Sequence, residues 1–253
     1  MKFHQFAYGS DNYGVLVHDE TSGQTALVDA GDAGAALAAL KETGWTLSHI
    51  WITHHHWDHT DGLAEVKAAT GAEVIGPHQV SQPIDGLDRE MGEGDVFTFG
   101  GTDVRVLHTP GHTTDMINFY LPDVGVVFTG DTLFTLGCGR IFEGNPAMMW
   151  ESLSKLADLP AETIVYSAHE YTLANAKFAA SVDADNPDLV AQISAVQAKR
   201  ERGEATSPST IGMERATNPF LRAADPAIRA CLGMETASDA EVFAEIRKRK
   251  DNF

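Results

Sequence analysis

Apolar positions along this chain follow two rhythms. Up to about residue 172 they come in short runs rich in β-branched and aromatic residues, each bounded by turn formers. NYGVLVHDE (12–20), QTALVDAG (24–31), LSHIWITH (47–54), AEVIGP (72–77) and ETIVYSAHE (162–170) read as strands. DVFTFGGTDVRVLHT (95–109) alternates on both sides of a Gly-Gly pair and reads as a hairpin, and MINFYLPDVGVVFTGD (116–131) reads as a second, turning at Pro122-Asp123. Helical spacing interrupts them at DAGAALAALKETG (32–44), LAEVKAATG (63–71) and NPAMMWESLSKLADLP (145–160). The first two end on a glycine, and the third has Asn145 as N-cap and Pro146 at the first helical position. Beyond about residue 172 the helical rhythm takes over, in LANAKFAASV (173–182), PDLVAQISAVQAKRERG (187–203) and SDAEVFAEIRKRKDNF (238–253). EATSPSTIGMERATNPF (204–220) reads as a turn-rich loop between them. The expected organisation is a mixed β/α domain over residues 1–172 and a small helical domain over 173–253.

The chemistry concentrates in THHHWDHTDG (53–62), which holds four histidines and two aspartates. Such groups are costly to bury unless something pairs with them. In extended backbone side chains alternate, so His54 and His56 share a side and His55 points away. With Asp58 and His59 in the following turn, the stretch offers nitrogen and oxygen donors suited to zinc, manganese or iron. Three other strands end on the same kind of residue. His112 follows DVRVLHTPG, Asp131 ends GVVFTGD, and His169 ends TIVYSAH. If the strand ends share one edge, seven donors converge: His54, His56, Asp58, His59, His112, Asp131 and His169. A structural zinc takes four protein ligands, so seven suit two metals with one shared carboxylate. His4, His18, His49, His78 and His108 read as structural or solvated. Asp29 could orient a ligand histidine or cap the 32–44 helix, and the sequence leaves both open.

These motifs resemble a known superfamily. T-H-x-H-x-D-H, then Gly111-His112-Thr113, then Gly130-Asp131-Thr132, then a histidine after a strand, is similar to the metallo-β-lactamases. That resemblance implies an α/β (α+β) fold, a four-layer αββα sandwich, followed here by a small C-terminal helical domain. Five segments in order, THHHWDHTDG, GCGRIFEG (137–144), SAHEYTLANAKFA (167–179), NPFLR (218–222) and RKRKDNF (247–253), resemble the glyoxalase II family across essentially the whole chain. What this implies is a thioester hydrolase that converts S-D-lactoylglutathione and water to D-lactate and glutathione, the second step of methylglyoxal detoxification. His54, His56 and His112 would hold a first metal, Asp58, His59 and His169 a second, and Asp131 would bridge them. The metals would be two divalent ions, zinc first, with iron or manganese also accepted. Water bridging two cations loses a proton near neutral pH, and the hydroxide attacks the thioester carbonyl. A thiol of pKa ~8.5 leaves as thiolate without a strong general acid. Arg140, Phe142, Tyr171, Arg247 and Lys250 would grip glutathione. Phe142 stands where other forms carry tyrosine, so one hydrogen bond to the substrate is in doubt. Asn12 and Tyr13 also match the family, with no role that their chemistry assigns.

Composition and charge narrow the alternatives. The formal net charge of −18 argues against a nucleic-acid partner. It also requires local cations for an anionic substrate, and Arg140, Arg247 and Lys250 meet that need. No apolar run approaches the roughly 20 residues of a membrane helix. MKFHQFAYGS lacks the apolar core of a signal peptide, so a cytoplasmic protein is expected, and no apolar stripe demands a partner, so a monomer is expected. Cys138 and Cys231 read as reduced thiols, not a disulfide framework. Two other functions compete: a glutathione persulfide dioxygenase of the same superfamily, and a metal-binding module without turnover. Persulfide dioxygenases, by the family pattern, use two histidines and one aspartate and lack the helical tail. A module without turnover would saturate its metals, whereas seven ligands over two metals leave room for water and substrate.

Overall fold

The computed structural model describes residues 1–78 and 82–253 and divides into two compact units. The first comprises Met1–His108 with Thr113–Gly130, and the second Thr109–His112 with Asp131–Phe253.

The first unit is built on two sheets. One contains β1 (Lys2–Tyr8), β2 (Asn12–His18), β3 (Thr25–Val28), β4 (His49–Trp51), β5 (Glu73–Pro77) and β6 (Arg89–Met91), in that spatial order. β1 to β3 pair antiparallel, and β3 to β6 pair parallel. The parallel pairs need crossovers. α1 (Ala33–Thr43) supplies one, and the one-turn α2 (Trp57–Thr60) with α3 (Leu63–Thr70) supplies the next. β1 is absent from the sequence reading, because KFHQFAY mixes polar and apolar residues without clean alternation. The second sheet runs β10 (Val126–Gly130), β9 (Ile117–Leu121), β8 (Thr102–His108), β7 (Val96–Phe99), all antiparallel. Both hairpins therefore form where expected.

Each layer is held by apolar burial. Ala33, Ala36, Ala39 and Leu40 of α1, with Leu63 and Val66, pack on Leu16, Leu27, Ile50 and Val74 of the first sheet. On the other face Trp51 meets Phe97, Phe99, Phe119 and Phe128 of the second sheet, with ring centroids 5.0–6.2 Å apart. Such aromatic contacts add ~0.5–1.5 kcal/mol each beyond the area they bury. α1 and α3 stop at Gly44 and Gly71, both left-handed (φ 72° and 69°), the conformation that terminates a helix at little cost only in glycine.

The second unit is mostly helical. In chain order it carries the hairpin β11 (Leu133–Phe134) and β12 (Gly137–Cys138), α4 (Pro146–Ala157), β13 (Ile164–Ser167), α5 (Thr172–Val182), α6 (Pro187–Glu201), β14 (Ser209–Thr210), α7 (Ile211–Thr217), a 3-10 turn (Pro219–Leu221), α8 (Pro226–Leu232) and α9 (Asp239–Asp251). α4 is capped by Asn145, as expected, and α9 opens with a capping box of Ser238 and Glu241. Phe220 packs between Phe178 of α5 and Phe243 of α9. The segment 204–220, read as a loop, is corrected: it contains β14 and α7. Thr210 caps α7 by accepting from the Met213 N–H, and Ile211 and Glu214 are fully buried. Pro208 and Pro219 on either side made the whole segment look like turn.

Candidate metal centre

In the first unit the donors follow β4. The backbone leaves the strand after Trp51 and carries Thr53 to His56 without regular structure into α2. The expected alternation holds: His54 Nε2 lies 3.0 Å from His56 Nδ1, while His55 turns toward Asp115, its Nδ1 3.0 Å from Oδ1. Asp58 and His59 sit on α2, with His59 Nε2 3.6 Å from Asp58 Oδ2.

Three neighbours fix these side chains. Asp29, at the end of β3, has one carboxylate oxygen 2.8 Å from His59 Nδ1. A carboxylate only accepts, so Nδ1 carries the proton and Nε2 presents a lone pair. The same carboxylate takes the Thr53 N–H (2.8 Å) and hydroxyl. The cap of α1 is Asp32, not Asp29, which decides the alternative that the sequence left open. Asp29 sits at φ 58°, a region asparagine and aspartate enter more readily than other side chains. Asn12, at the start of β2, donates to Asp58 Oδ2 (3.0 Å), and the Tyr8 hydroxyl donates to the Asp58 carbonyl (2.9 Å). Asn12 thus acquires a role that its chemistry alone did not assign. Tyr8 went unnoticed, since nothing in the spacing links residues 8 and 58.

In the second unit Asp131, His112 and His169 meet. His112 Nε2 lies 3.3 Å from Asp131 Oδ2, and His169 Nε2 lies 3.2 Å from Asp131 Oδ1. Each oxygen of one carboxylate faces a different imidazole. His112 Nδ1 donates to the Arg140 carbonyl (2.8 Å), which leaves Nε2 as the lone-pair nitrogen. Tyr171 stacks on His169 at 4.8 Å with its ring nearly parallel, and Phe134 closes on the His169 edge.

The donors fit metal ions. Two atoms bound to one tetrahedral zinc at ~2.05 Å stand about 3.3 Å apart. The His54–His56, His112–Asp131 and His169–Asp131 separations of 3.0, 3.3 and 3.2 Å match that spacing. His54, His59, His112, Asp131 and His169 are all buried, where nitrogen and oxygen donors need a partner of opposite character. In each unit the clustered His and Asp donors are of the kind that could hold a divalent metal ion.

The expected substrate-gripping residues all lie in the second unit. Arg140 is exposed, Phe142 is 64% exposed beside the His112 ring, and Tyr171 is 38% exposed. Lys250 donates to the Ala174 carbonyl (3.0 Å). Its ammonium is held below the usual lysine range by partial burial and by the like charges of Arg247 and Arg140. Arg247 is placed differently, being only 5% exposed with its guanidinium committed inside the unit. Cys138 is buried, and burial pushes its thiol up to about 11, so it is neutral near pH 7 and no nucleophile. His108 bonds the Thr114 carbonyl and His49 stands among Ser48, Glu73 and Phe99, both structural as expected.

The chain is similar to known proteins along its whole length. Residues 9–169 match the family model of the metallo-beta-lactamase superfamily, and residues 170–253 match that of the hydroxyacylglutathione hydrolase C-terminus. A protein of Maricaulis maris named hydroxyacylglutathione hydrolase is 53% identical, covering 98% of this chain and 97% of its own. Among solved structures, ETHE1 from Myxococcus xanthus superposes with TM-score 0.70 at 28% identity, over 98% of this chain and 90% of that one. TTHA1623 in a di-iron-bound form superposes with TM-score 0.63 at 26% identity, over 86% of this chain and all of that one. The chain is therefore a metallohydrolase-type α/β protein of the metallo-beta-lactamase superfamily, with the fold class expected from its motifs. Within that superfamily it belongs to the hydroxyacylglutathione hydrolase family.

Proposed function

We propose that this protein hydrolyses S-2-hydroxyacylglutathione thioesters, S-D-lactoylglutathione among them, to the 2-hydroxy acid and glutathione. The observation that carries the reading is agreement along the whole chain with proteins named for that activity, including the C-terminal segment 170–253. In this reading His54, His56 and His112 hold one divalent metal, and Asp58, His59 and His169 hold a second. Asp131 would serve both. Bound there, the metals would lower the pKa of a water nucleophile and polarise the thioester carbonyl. Zinc suits the nitrogen and oxygen donors, and the di-iron form of TTHA1623 keeps iron in view.

The chain's own residues do the positioning. Asp29 and the Arg140 carbonyl fix the protonated nitrogens of His59 and His112, so both rings offer Nε2. Asn12 holds one oxygen of Asp58, which orients the carboxylate. Glutathione carries two carboxylates and one ammonium, a net anion, and Arg140 and Lys250 supply positive charge on a strongly anionic protein. Tyr171 and Phe142 offer exposed aromatic surface for the substrate. Phe142 keeps the ring but has no hydroxyl to donate. The leaving thiol has a pKa of ~8.5, so thiolate departs without a general acid. The reading also has a cytoplasmic monomer acting on a small molecule. Among the described residues no helix is long and apolar enough to cross a membrane.

The test is thiol release from S-D-lactoylglutathione by purified protein, with and without a chelator, beside oxygen uptake on glutathione persulfide. Chelator-sensitive thiol release without oxygen uptake is expected. Oxygen uptake without hydrolysis would replace this reading with the dioxygenase. Bound metal with neither activity would leave the metal-binding module.

A further inference from the structure

Arg247 lies near the end of α9, in a basic run that ordinarily marks a solvated helix face. Here it is buried and fully engaged. Its Nη1 donates to the Cys138 carbonyl at 3.0 Å, and Nε and Nη2 donate to Asp251 Oδ1 at 3.1 and 2.8 Å. Its guanidinium lies over the Phe220 ring, 5.1 Å from the centroid. The group is occupied on one face and along two edges.

The carbonyl it holds belongs to Gly137-Cys138-Gly139-Arg140. Two residues on, the Arg140 carbonyl accepts from His112 Nδ1 at 2.8 Å. Between them Gly139 packs flat on the site. A Cβ there would stand 2.0 Å from the Asp131 carbonyl oxygen and 3.1 Å from His112 Nδ1. One short, tightly packed piece of backbone thus runs from the guanidinium of α9 to the ring of His112. Cys138, Gly139 and Arg140 are consecutive, so a shift of the Cys138 carbonyl moves the backbone that carries the Arg140 carbonyl.

We infer that Arg247 is a positioning residue: by holding the Cys138 carbonyl it sets the 138–140 backbone, and through the Arg140 carbonyl it orients His112 toward the metal. This rests on the reading of His112 as a metal ligand. The consequence is that α9 governs metal retention, and not only the grip on glutathione. Partners that orient a ligand histidine are typically worth ~10–100-fold in metal affinity.

The experiment uses the full-length zinc-loaded protein and compares wild type, Arg247→Ala, Arg247→Lys, Lys250→Ala and His112→Ala. Zinc per chain is measured after dialysis against graded chelator, with kcat, KM and thermal unfolding alongside. The expected result is zinc loss from Arg247→Ala at roughly tenfold lower chelator, with reduced kcat. Arg247→Lys keeps the charge but cannot span the Cys138 carbonyl and Asp251 with one ammonium, so it should lose zinc at an intermediate level. Lys250→Ala should raise KM while retaining zinc like wild type. Wild-type zinc retention in both Arg247 variants, with only KM raised, would overturn the inference. Should Arg247→Ala not fold, the lysine variant decides alone. If His112→Ala retains zinc like wild type, the ligand assignment fails instead, and the two failures are told apart.

Discussion

Glu214 is a fully buried carboxyl whose titration the structure makes measurable. One of its oxygens accepts the Leu136 N–H (2.9 Å) and the Asn218 side-chain amide (3.0 Å), and Asn218 in turn donates to the Phe134 and Gly137 carbonyls. The cluster staples α7 to the turn between β11 and β12, where Leu136 is held at φ 59°. Burial raises the carboxyl from 4.5 to about 7, and the hydrogen bonds of Ser209, Leu136 and Asn218 hold it down only in part. The sign follows from proton linkage. Between pH 4.5 and about 7 the folded chain keeps a proton that the unfolded chain has lost, so stability falls as pH rises and levels off above about 7. The shift corresponds to about 3 kcal/mol at full development. Glu214→Gln keeps a carbonyl for Leu136 and Asn218 and removes the charge. Urea unfolding of both proteins at pH 5, 6, 7 and 8.5, followed by far-UV circular dichroism, is the assay. The expected outcome is near-equal stability at pH 5 and a variant more stable by about 3 kcal/mol at pH 8.5. Parallel pH profiles for the two proteins would refute the reasoning, because they would mean that Glu214 does not change protonation in that window.

Three further outcomes follow from the donor cluster. His56→Ala should abolish chelator-sensitive thiol release and lower the metal bound per chain; turnover at the wild-type rate would sink the metal-based mechanism. Asp29→Asn offers one acceptor oxygen to three donors, Thr53 N–H, Thr53 hydroxyl and His59, so zinc affinity should drop about 10–100-fold in competition with a chelator. Gly139→Ala forces a methyl to 2.0 Å from the Asp131 carbonyl oxygen, so it should lose bound metal while keeping its far-UV spectrum; full retention would mean the 138–140 backbone is slack.

The donor set was legible because its information is local. Ligand chemistry names histidine and aspartate, and strand alternation separates His55 from His54 and His56. The hairpins and the capped helices were legible for the same reason, since a Gly-Gly turn, an Asn-Pro start and a terminal glycine act within a few residues. Other features were not legible. β1 lacks an alternating pattern and exists because β2 offers it an edge over its whole length. α7 lies between prolines, and it is the burial of Ile211 with the Thr210 cap that makes it a helix.

What the sequence by itself determined is which atoms can hold a metal and on which side of the local backbone they lie. Only the tertiary structure decided what holds those atoms still. Asp29 could cap a helix or orient a ligand until the fold put Asp32 at the cap and His59 against Asp29. Arg247 read as surface or substrate charge until the fold buried it on the Cys138 carbonyl. The reason is physical: a side chain's chemistry is a property of its residue, but the partner that fixes its proton or its angle comes from far along the chain. Residues 247 and 138, like 58 and 12, are neighbours only once the apolar surfaces around them have packed.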